Sequence, residues 1–288
     1  MVTGEIKNKV DRIWETFWTG GITNPLSVIE QITYLLFIRG LDDVETKREK
    51  EASVLRVPHK TVFPKDKQHL RWSKFKSFEA ERMYKVVSDE VFPFIKSLHG
   101  DRDSAYSKYM SDAIFIIPTP LLLEKVVTGL SELTMDDRDT KGDLYEYLLS
   151  KISQSGTNGQ FRTPRHIIRM MVELLRPTPD DIICDPAAGT AGFLVAAGEY
   201  LRERHGDLFL DAWKKDYFNN RMFHGFDMDR TMLRIGAMNM MLHDIENPNI
   251  EYRDSLSETN THTNKYTLVM TNPPFKVSLD YEGCQPTF

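Results

Sequence analysis

Asn272, Pro273, Pro274 and Phe275 follow an apolar stretch, Tyr266-Thr-Leu-Val-Met-Thr271. At the end of a strand, an asparagine side-chain oxygen and a proline carbonyl can accept both hydrogens of a planar amine. An adjacent aromatic ring can stack on the base that carries that amine. Adenine N6 is a poor nucleophile, because its lone pair is delocalised into the ring. Two acceptors favour a pyramidal nitrogen and aim its lone pair at an electrophilic carbon, so preorganised polar groups and positioning supply the catalysis. A base presented this way must leave its duplex. Neither a metal nor a covalent intermediate is required. Taken alone, Asn-Pro-Pro is explained as well by a turn with a buried Phe.

A second set lies upstream, in Asp185-Pro-Ala-Ala-Gly-Thr-Ala-Gly-Phe193. Gly189 and Gly192 let the backbone approach a ligand, and a helix starting behind them suits a carboxylate. With Ala187 and Phe193 they form a candidate seat for a nucleoside methyl donor. A glycine-rich turn by itself suits a dinucleotide equally. Asp185-Pro186 shifts the reading, since a carboxylate suits an ammonium better than a pyrophosphate. Asp227, ending Gly225-Phe-Asp227, is placed for ribose hydroxyls, and lies further along than the roughly 20 residues of a compact dinucleotide unit. Asp254 is a candidate for the donor's adenine amine, although Asp-Ser is also a common turn pair. Asp229 reads as a helix N-cap. Phe161 is a candidate to pack near a sulfonium, because ring faces attract cations. His224 and His243 read as core or capping residues, Met238, Met240 and Met241 as helix packing, and Cys184 as a buried strand thiol.

These residues need a scaffold, and the chain changes texture to provide one. Up to about 140 it reads as helical, with Val10, Ile13, Trp14, Phe17 and Trp18 at helical spacing and Thr23-Asn-Pro25 as a helix start. Helices are also expected over 79–98 and 121–133. The charged, proline-interrupted stretch 45–76 is expected to be a loop. Its Arg71-Trp-Ser-Lys-Phe-Lys76 either touches a nucleic-acid backbone or covers the core with amphipathic side chains. From 141 onward, short apolar strands near 181–184, 222–226, 250–252 and 266–270 alternate with helices over 164–175, 190–204 and 230–242. That alternation predicts a doubly wound α/β sheet, with ligands beyond the carboxyl ends of the strands.

Composition fits this picture. The chain has 288 residues, 41% hydrophobic and 27% charged, with a net charge of −5. An acidic balance argues against a protein that grips nucleic acid unaided. Two cysteines give neither a disulfide framework nor metal-ligand spacing. No secretion signal or membrane-spanning run is visible, so a cytoplasmic location is expected.

On these motifs the chain resembles the modification (M) subunit of type I restriction-modification systems, which are S-adenosylmethionine-dependent DNA adenine-N6 methyltransferases. Lys141-Gly-Asp-Leu-Tyr-Glu-Tyr-Leu-Leu149 and Gly159-Gln-Phe-Arg-Thr-Pro164 look like that family's run into its first cofactor motif, which implies that Phe161 and Thr163 lie near the donor. The 185–193 turn is similar to the donor loop, with Ala191 where glycine is usual. The resemblance implies roles for Asp227 at ribose, Asp254 at adenine, and Asn272 to Phe275 in catalysis. It implies a helical N-terminal domain (1–140), a methyltransferase domain (141–288), and association with a specificity (S) subunit, a second M subunit and often a nucleolytic R subunit on double-stranded DNA. The family's sheet has seven strands and this sequence offers about four. An incomplete sheet with an exposed edge, from a truncated chain active only when completed by other polypeptide, is therefore expected. Two alternatives stand beside this reading. One is a non-catalytic subunit that keeps partner or DNA binding; the other is an enzyme that methylates protein glutamine.

Overall fold

The structure, a computed structural model, describes residues 4–56, 58, 61–98, 110–133, 144–145, 147–151, 163–258, 260–262 and 264–273. Phe161, Pro274 and Phe275 lie outside the described residues. The chain divides into two compact units, with Leu149 onward in the second.

The first unit is helical. Helix α1 (Gly4–Thr19) buries Val10, Ile13 and Phe17 on one stripe. Helix α2 (Pro25–Leu55) starts where Asn24 accepts from the Leu26 N–H at 2.9 Å and Pro25 fills the first turn. It then runs for 31 residues, straight through the first part of the stretch expected to be a loop. The reason is long-range. Asp42, Glu45, Thr46 and Glu49 share one helix face, and that face is occupied. Arg71 donates to Asp42 at 2.5 Å, to Glu49 at 2.7 Å and to Thr46 at 2.8 Å. The Val62 N–H donates to Glu45 at 2.6 Å.

Arg71 is therefore spoken for. Burial opposes its charge, but the bonds to Glu49 and Asp42 outweigh that and hold the guanidinium protonated. Trp72 and Phe75, in the single turn α3 (Trp72–Phe75), are buried, while Lys74 and Lys76 are exposed. The nucleic-acid reading of this stretch thus loses its arginine and both aromatics to the core. Arg71→Met is expected to cost about 3 kcal/mol in urea unfolding, because it strands the Asp42 carboxylate, whose remaining donor is the Ser73 N–H at 2.7 Å. A loss below about 1 kcal/mol would show the pair to be dispensable.

The helix expected over 79–98 is present but not uniform. Helix α4 (Ala80–Val86) passes through a π-turn (Val87–Val91) into α5 (Phe92–Ser97). Pro93 has no N–H, and its ring would strike the carbonyl four residues back in a straight helix; the wider turn just before it removes that clash. The segment before α6 (Pro120–Ser131) is held extended by Gln31, which donates to the Ile114 carbonyl at 3.0 Å and accepts from the Ile116 N–H at 3.1 Å. Beyond residue 140, Tyr145 meets the Thr33 hydroxyl at 3.0 Å and Tyr147 donates to Asp11 at 2.8 Å. Both tyrosines thus pack with the helical unit, past the boundary expected at 140.

The second unit carries the sheet. Helix α7 (Arg165–Leu175) leads to strand β1 (Ile183–Asp185), then α8 (Gly192–Arg204) and α9 (Ala212–Asn220). Strand β2 (Phe223–Asp227), α10 (Arg230–Leu242), β3 (Asn249–Tyr252) and β4 (Leu268–Val269) follow. All pairings are parallel, in the order β3-β2-β1-β4, with Asp185 beside Gly225, Asp227 beside Tyr252 and Cys184 beside Val269. The chain starts at the centre and winds outward to both sides, as the alternating pattern predicts. Ile183, Leu194, Ala197, Leu201, Phe223, Leu233 and Ile250 belong to its core. Each large one contributes on the order of 2 kcal/mol by leaving water.

Strands β1 and β4 begin two residues later than expected. Asp181 and Ile182 serve a turn instead. The Asp181 carboxylate accepts from the Thr178 N–H and the Thr267 hydroxyl, both at 2.7 Å, and the Ile182 N–H donates to Thr267 Oγ1 at 2.8 Å. No helix among the described residues is long and apolar enough to cross a membrane.

Candidate active site

Asp185 closes the central strand and is 1% exposed. Its carboxylate accepts from the Ala187 N–H at 3.1 Å. Thr271 Oγ1, buried just past β4, lies close enough to favour the charged carboxylate but falls short of hydrogen-bond geometry. Among the described residues no basic side chain pairs with Asp185. Burial pushes its pKa up to about 7; the Ala187 amide and Thr271 pull the other way, and the charge of Asp227 adds to the rise. A buried carboxylate without a cation is costly to ionise, and a ligand bearing one would relieve it.

The turn after Asp185 is wired to β2. The Ala188 N–H donates to the Phe226 carbonyl at 2.8 Å, and the Gly189 N–H donates to Asp227 at 2.9 Å. Gly189 takes φ +50° and Ala191 φ +60°, so two residues occupy the left-handed region before α8 begins at Gly192. Gly189 adopts this freely, whereas Ala191 does so under strain. Asp227 spends its other oxygen on the Asp229 N–H at 2.8 Å, and burial raises its pKa. Asp229 itself caps α10, accepting from Thr231 and Met232, as its sequence position predicts.

The other expected residues among those described take different positions. Asn272 and Pro273 leave the sheet directly after Met270, whose N–H donates to the Cys184 carbonyl at 3.0 Å, so the chain there exits beside Asp185. Asp254 is exposed and accepts from the Leu256 N–H at 2.9 Å, which is the turn role. Its neighbour Ser255 donates to the Pro186 carbonyl at 2.6 Å, folding this segment against the turn. Phe193 is 4% exposed within the core, so its backbone rather than its ring faces the turn. Thr163 is half-buried just before α7.

Sequence reasoning missed several residues here. Met228 and Tyr252 stay 57% and 49% exposed at the carboxyl ends of β2 and β3, an apolar rim beside Asp227. Gly236 and Asn239, on α10, touch the turn from below: Asn239 donates to the Thr190 carbonyl at 2.7 Å. A lone Asn inside a methionine-rich run, Met238-Asn-Met-Met241, is the available signal. The remaining candidates take bland roles. Cys184 is 2% exposed, with burial pushing its thiol up to about 12. His224 lies 5.2 Å from the Tyr266 ring, with burial lowering its pKa. His243 ends α10 with Nδ1 2.8 Å from the Asn239 carbonyl. Met238 and Met240 are core. No cluster of ligating side chains able to hold a metal occurs among the described residues.

With this geometry in place, comparison with known proteins is decisive. The N-6 DNA Methylase family pattern matches residues 136–286, more than half the chain. The chain belongs to the N-6 DNA methylase family. Residues 6–130 match the HsdM N-terminal domain. The methylase subunit of the type I restriction enzyme EcoKI from Escherichia coli K12 is 39% identical over 147 residues, 48% of this chain and 28% of that protein. The EcoEI methylase subunit from Escherichia coli is 26% identical over 266 residues, 88% of this chain and 53% of that one. The fold matches a modification subunit of a putative type I restriction enzyme from Vibrio vulnificus with a TM-score of 0.76 at 23% identity, over 96% of this chain and 61% of that one. This methylase chain therefore spans about half, or less, of the length of these curated relatives. The expected membership is met, and the helical domain joined to a small parallel sheet is the expected architecture.

Proposed function

We propose that this chain carries the donor site and the catalytic loop of a DNA adenine-N6 methyltransferase, acting as the modification subunit of a type I restriction-modification complex in the cytoplasm. The observation that carries this reading is the buried Asp185 at the end of the central strand, without a basic partner among the described residues and on the strand adjacent to the one that leads to Asn272. A zwitterionic, sulfonium-bearing nucleoside fits the residues present. Asp185 takes its ammonium, the start of α8 favours its carboxylate, Asp227 accepts from its ribose hydroxyls, and Ala187, Gly189 and Gly192 supply close backbone. Thr163, Phe161, Phe193 and Asp254 complete the proposed surround, Asp254 at the adenine amine. S-adenosylmethionine, when bound, supplies an electrophilic methyl group.

The chain's own residues then do the rest. Asn272 and the Pro273 carbonyl accept the hydrogens of adenine N6, raising the density of its lone pair toward the methyl carbon. Phe275, which follows Pro274 in the same catalytic loop, stacks on the flipped base. An acidic chain leaves sequence reading and much of the grip on duplex DNA to an S subunit, with a second M subunit and an R subunit as further partners.

The test is labelled-methyl transfer from S-adenosylmethionine with the chain, its specificity partner and unmodified duplex DNA. Label at adenine N6 is the expected result. Label in protein glutamine would replace this reading with the alternative enzyme. Donor binding without any transfer would favour the non-catalytic subunit.

A further inference from the structure

The turn that the proposed donor would use is not held by the sheet alone. Helix α10 reaches it from underneath at two points one turn apart. Asn239 is fully buried, and its Nδ2 donates to the Thr190 carbonyl at 2.7 Å. Its Oδ1 is buried with no hydrogen-bond partner among the described residues. A buried amide left half-satisfied in a helix of Met, Leu and Ile is retained at a cost in stability, and an apolar residue would suit the core better. The return on that cost is the fixed Thr190 carbonyl. One turn earlier, a Cβ on Gly236 would come within 2.9 Å of the Gly189 carbonyl and 3.5 Å of the Ala191 methyl. Glycine at this point lets the helix seat directly beneath the turn. The contacts fall on Gly189, Thr190 and Ala191, and the two left-handed residues flanking Thr190 have backbone angles that aim the first amides of α8.

We propose that Asn239, with Gly236, is a positioning residue for the 189–191 turn, setting the orientation of the amides that meet the amino-acid end of the methyl donor. The proposal rests on the donor site described above and adds the element that controls it. Asn239 touches no reacting atom. It acts through the Thr190 carbonyl.

The geometry makes the effect selective. The nucleoside end rests on Asp227, which the Asp229 N–H holds as well as the Gly189 N–H, whereas the amino-acid end depends on the turn alone. Calorimetric titration of the chain with S-adenosyl-L-homocysteine and, separately, with adenosine reads the two ends apart. For Asn239→Ala, affinity for S-adenosyl-L-homocysteine is expected to fall about tenfold while affinity for adenosine changes by less than about twofold. Asn239→Asp, which keeps the shape but opposes a carboxylate to the Thr190 carbonyl, is expected to fall at least as far. Gly236→Ala carries the same test should Asn239→Ala fail to fold, with the same selective loss expected. Equal losses for both ligands would mean a merely structural role and overturn the proposal, as would unchanged binding. Failure of the unaltered chain to bind either ligand would instead sink the donor-site reading itself.

Discussion

Asn272→Ala is expected to lower methyl transfer to adenine by about 10²- to 10³-fold while donor affinity stays within about twofold. The argument is geometric. Asn272 leaves the sheet at the carboxyl end of β4, next to the strand that ends in Asp185, and it is half-buried. Its proposed work is confined to the amine of the acceptor, where an accepted hydrogen bond grows stronger as the nitrogen gains positive character. An interaction that strengthens on the way to the transition state appears in the rate and not in donor binding. Single-turnover transfer, measured with partner and duplex DNA beside a calorimetric donor titration, separates the two. A parallel loss of donor affinity would show that Asn272 holds the local fold instead. Asn272→Asp keeps the acceptor but adds charge, so it is expected to lie between the alanine variant and the unaltered chain.

The second large effect has opposite signs in two measurements. Asp185→Asn is expected to stabilise the ligand-free chain at pH 8 and to weaken donor binding roughly 30- to 100-fold. In the folded chain this carboxyl keeps its proton up to about pH 7, whereas unfolded it releases the proton near pH 4. The folded state therefore binds more protons between these values, and the stability this group confers falls as pH rises. It is fully present below about pH 4 and lost above about pH 7. Removing the buried charge at pH 8 should recover on the order of 2 kcal/mol, or roughly 5 °C in Tm, and a clearly smaller share of that at pH 5, where only part of the loss has occurred. Donor binding runs the other way, because the ammonium needs the ionised form. Affinity of the unaltered chain should climb nearly tenfold per pH unit below about pH 7 and level off above it, and the Asn variant should lose that slope. Thermal melts at both pH values, with titrations from pH 5.5 to 8, check each sign. A lower Tm for the variant at pH 8 would mean that the charge is already compensated.

Much of this unit is readable from local pattern. Helix α10 falls on 230–242 as expected, because Asp229 caps it and its apolar residues recur on more than one face. The 185–193 turn is legible because acid, proline and glycines come as a set, and each has a distinct physical use. What could not be read depends on partners far away in sequence. The carboxylates of α2 look solvated until Arg71 and Val62 arrive to satisfy them. Thr267 shortens β1 and β4 by diverting Asp181 and Ile182. Asn239 looks like one polar residue among methionines until Thr190 is placed above it. Local periodicity reports which face is apolar, but not which polar group will meet another across a core.

The order β3-β2-β1-β4 also bears on how the unit assembles. The turn, Asp227 and their supporting helix lie within a continuous run of chain, built by successive crossovers. β4 joins β1 only after closing a span of 85 residues, and it does so with two strand residues and a threonine latch. Closing a long span raises the entropic barrier to that contact, so the half that carries Asp185 and Asp227 can form before the last strand docks. Among the described residues few hydrogen bonds hold β4, so this strand opens at little expense. Fluctuation at β4 would therefore move the strand that leads to Asn272 while Asp185 and its turn stay packed. On the proposed function, capture of the methyl donor and readiness to transfer it are, in this winding, separable states of one sheet.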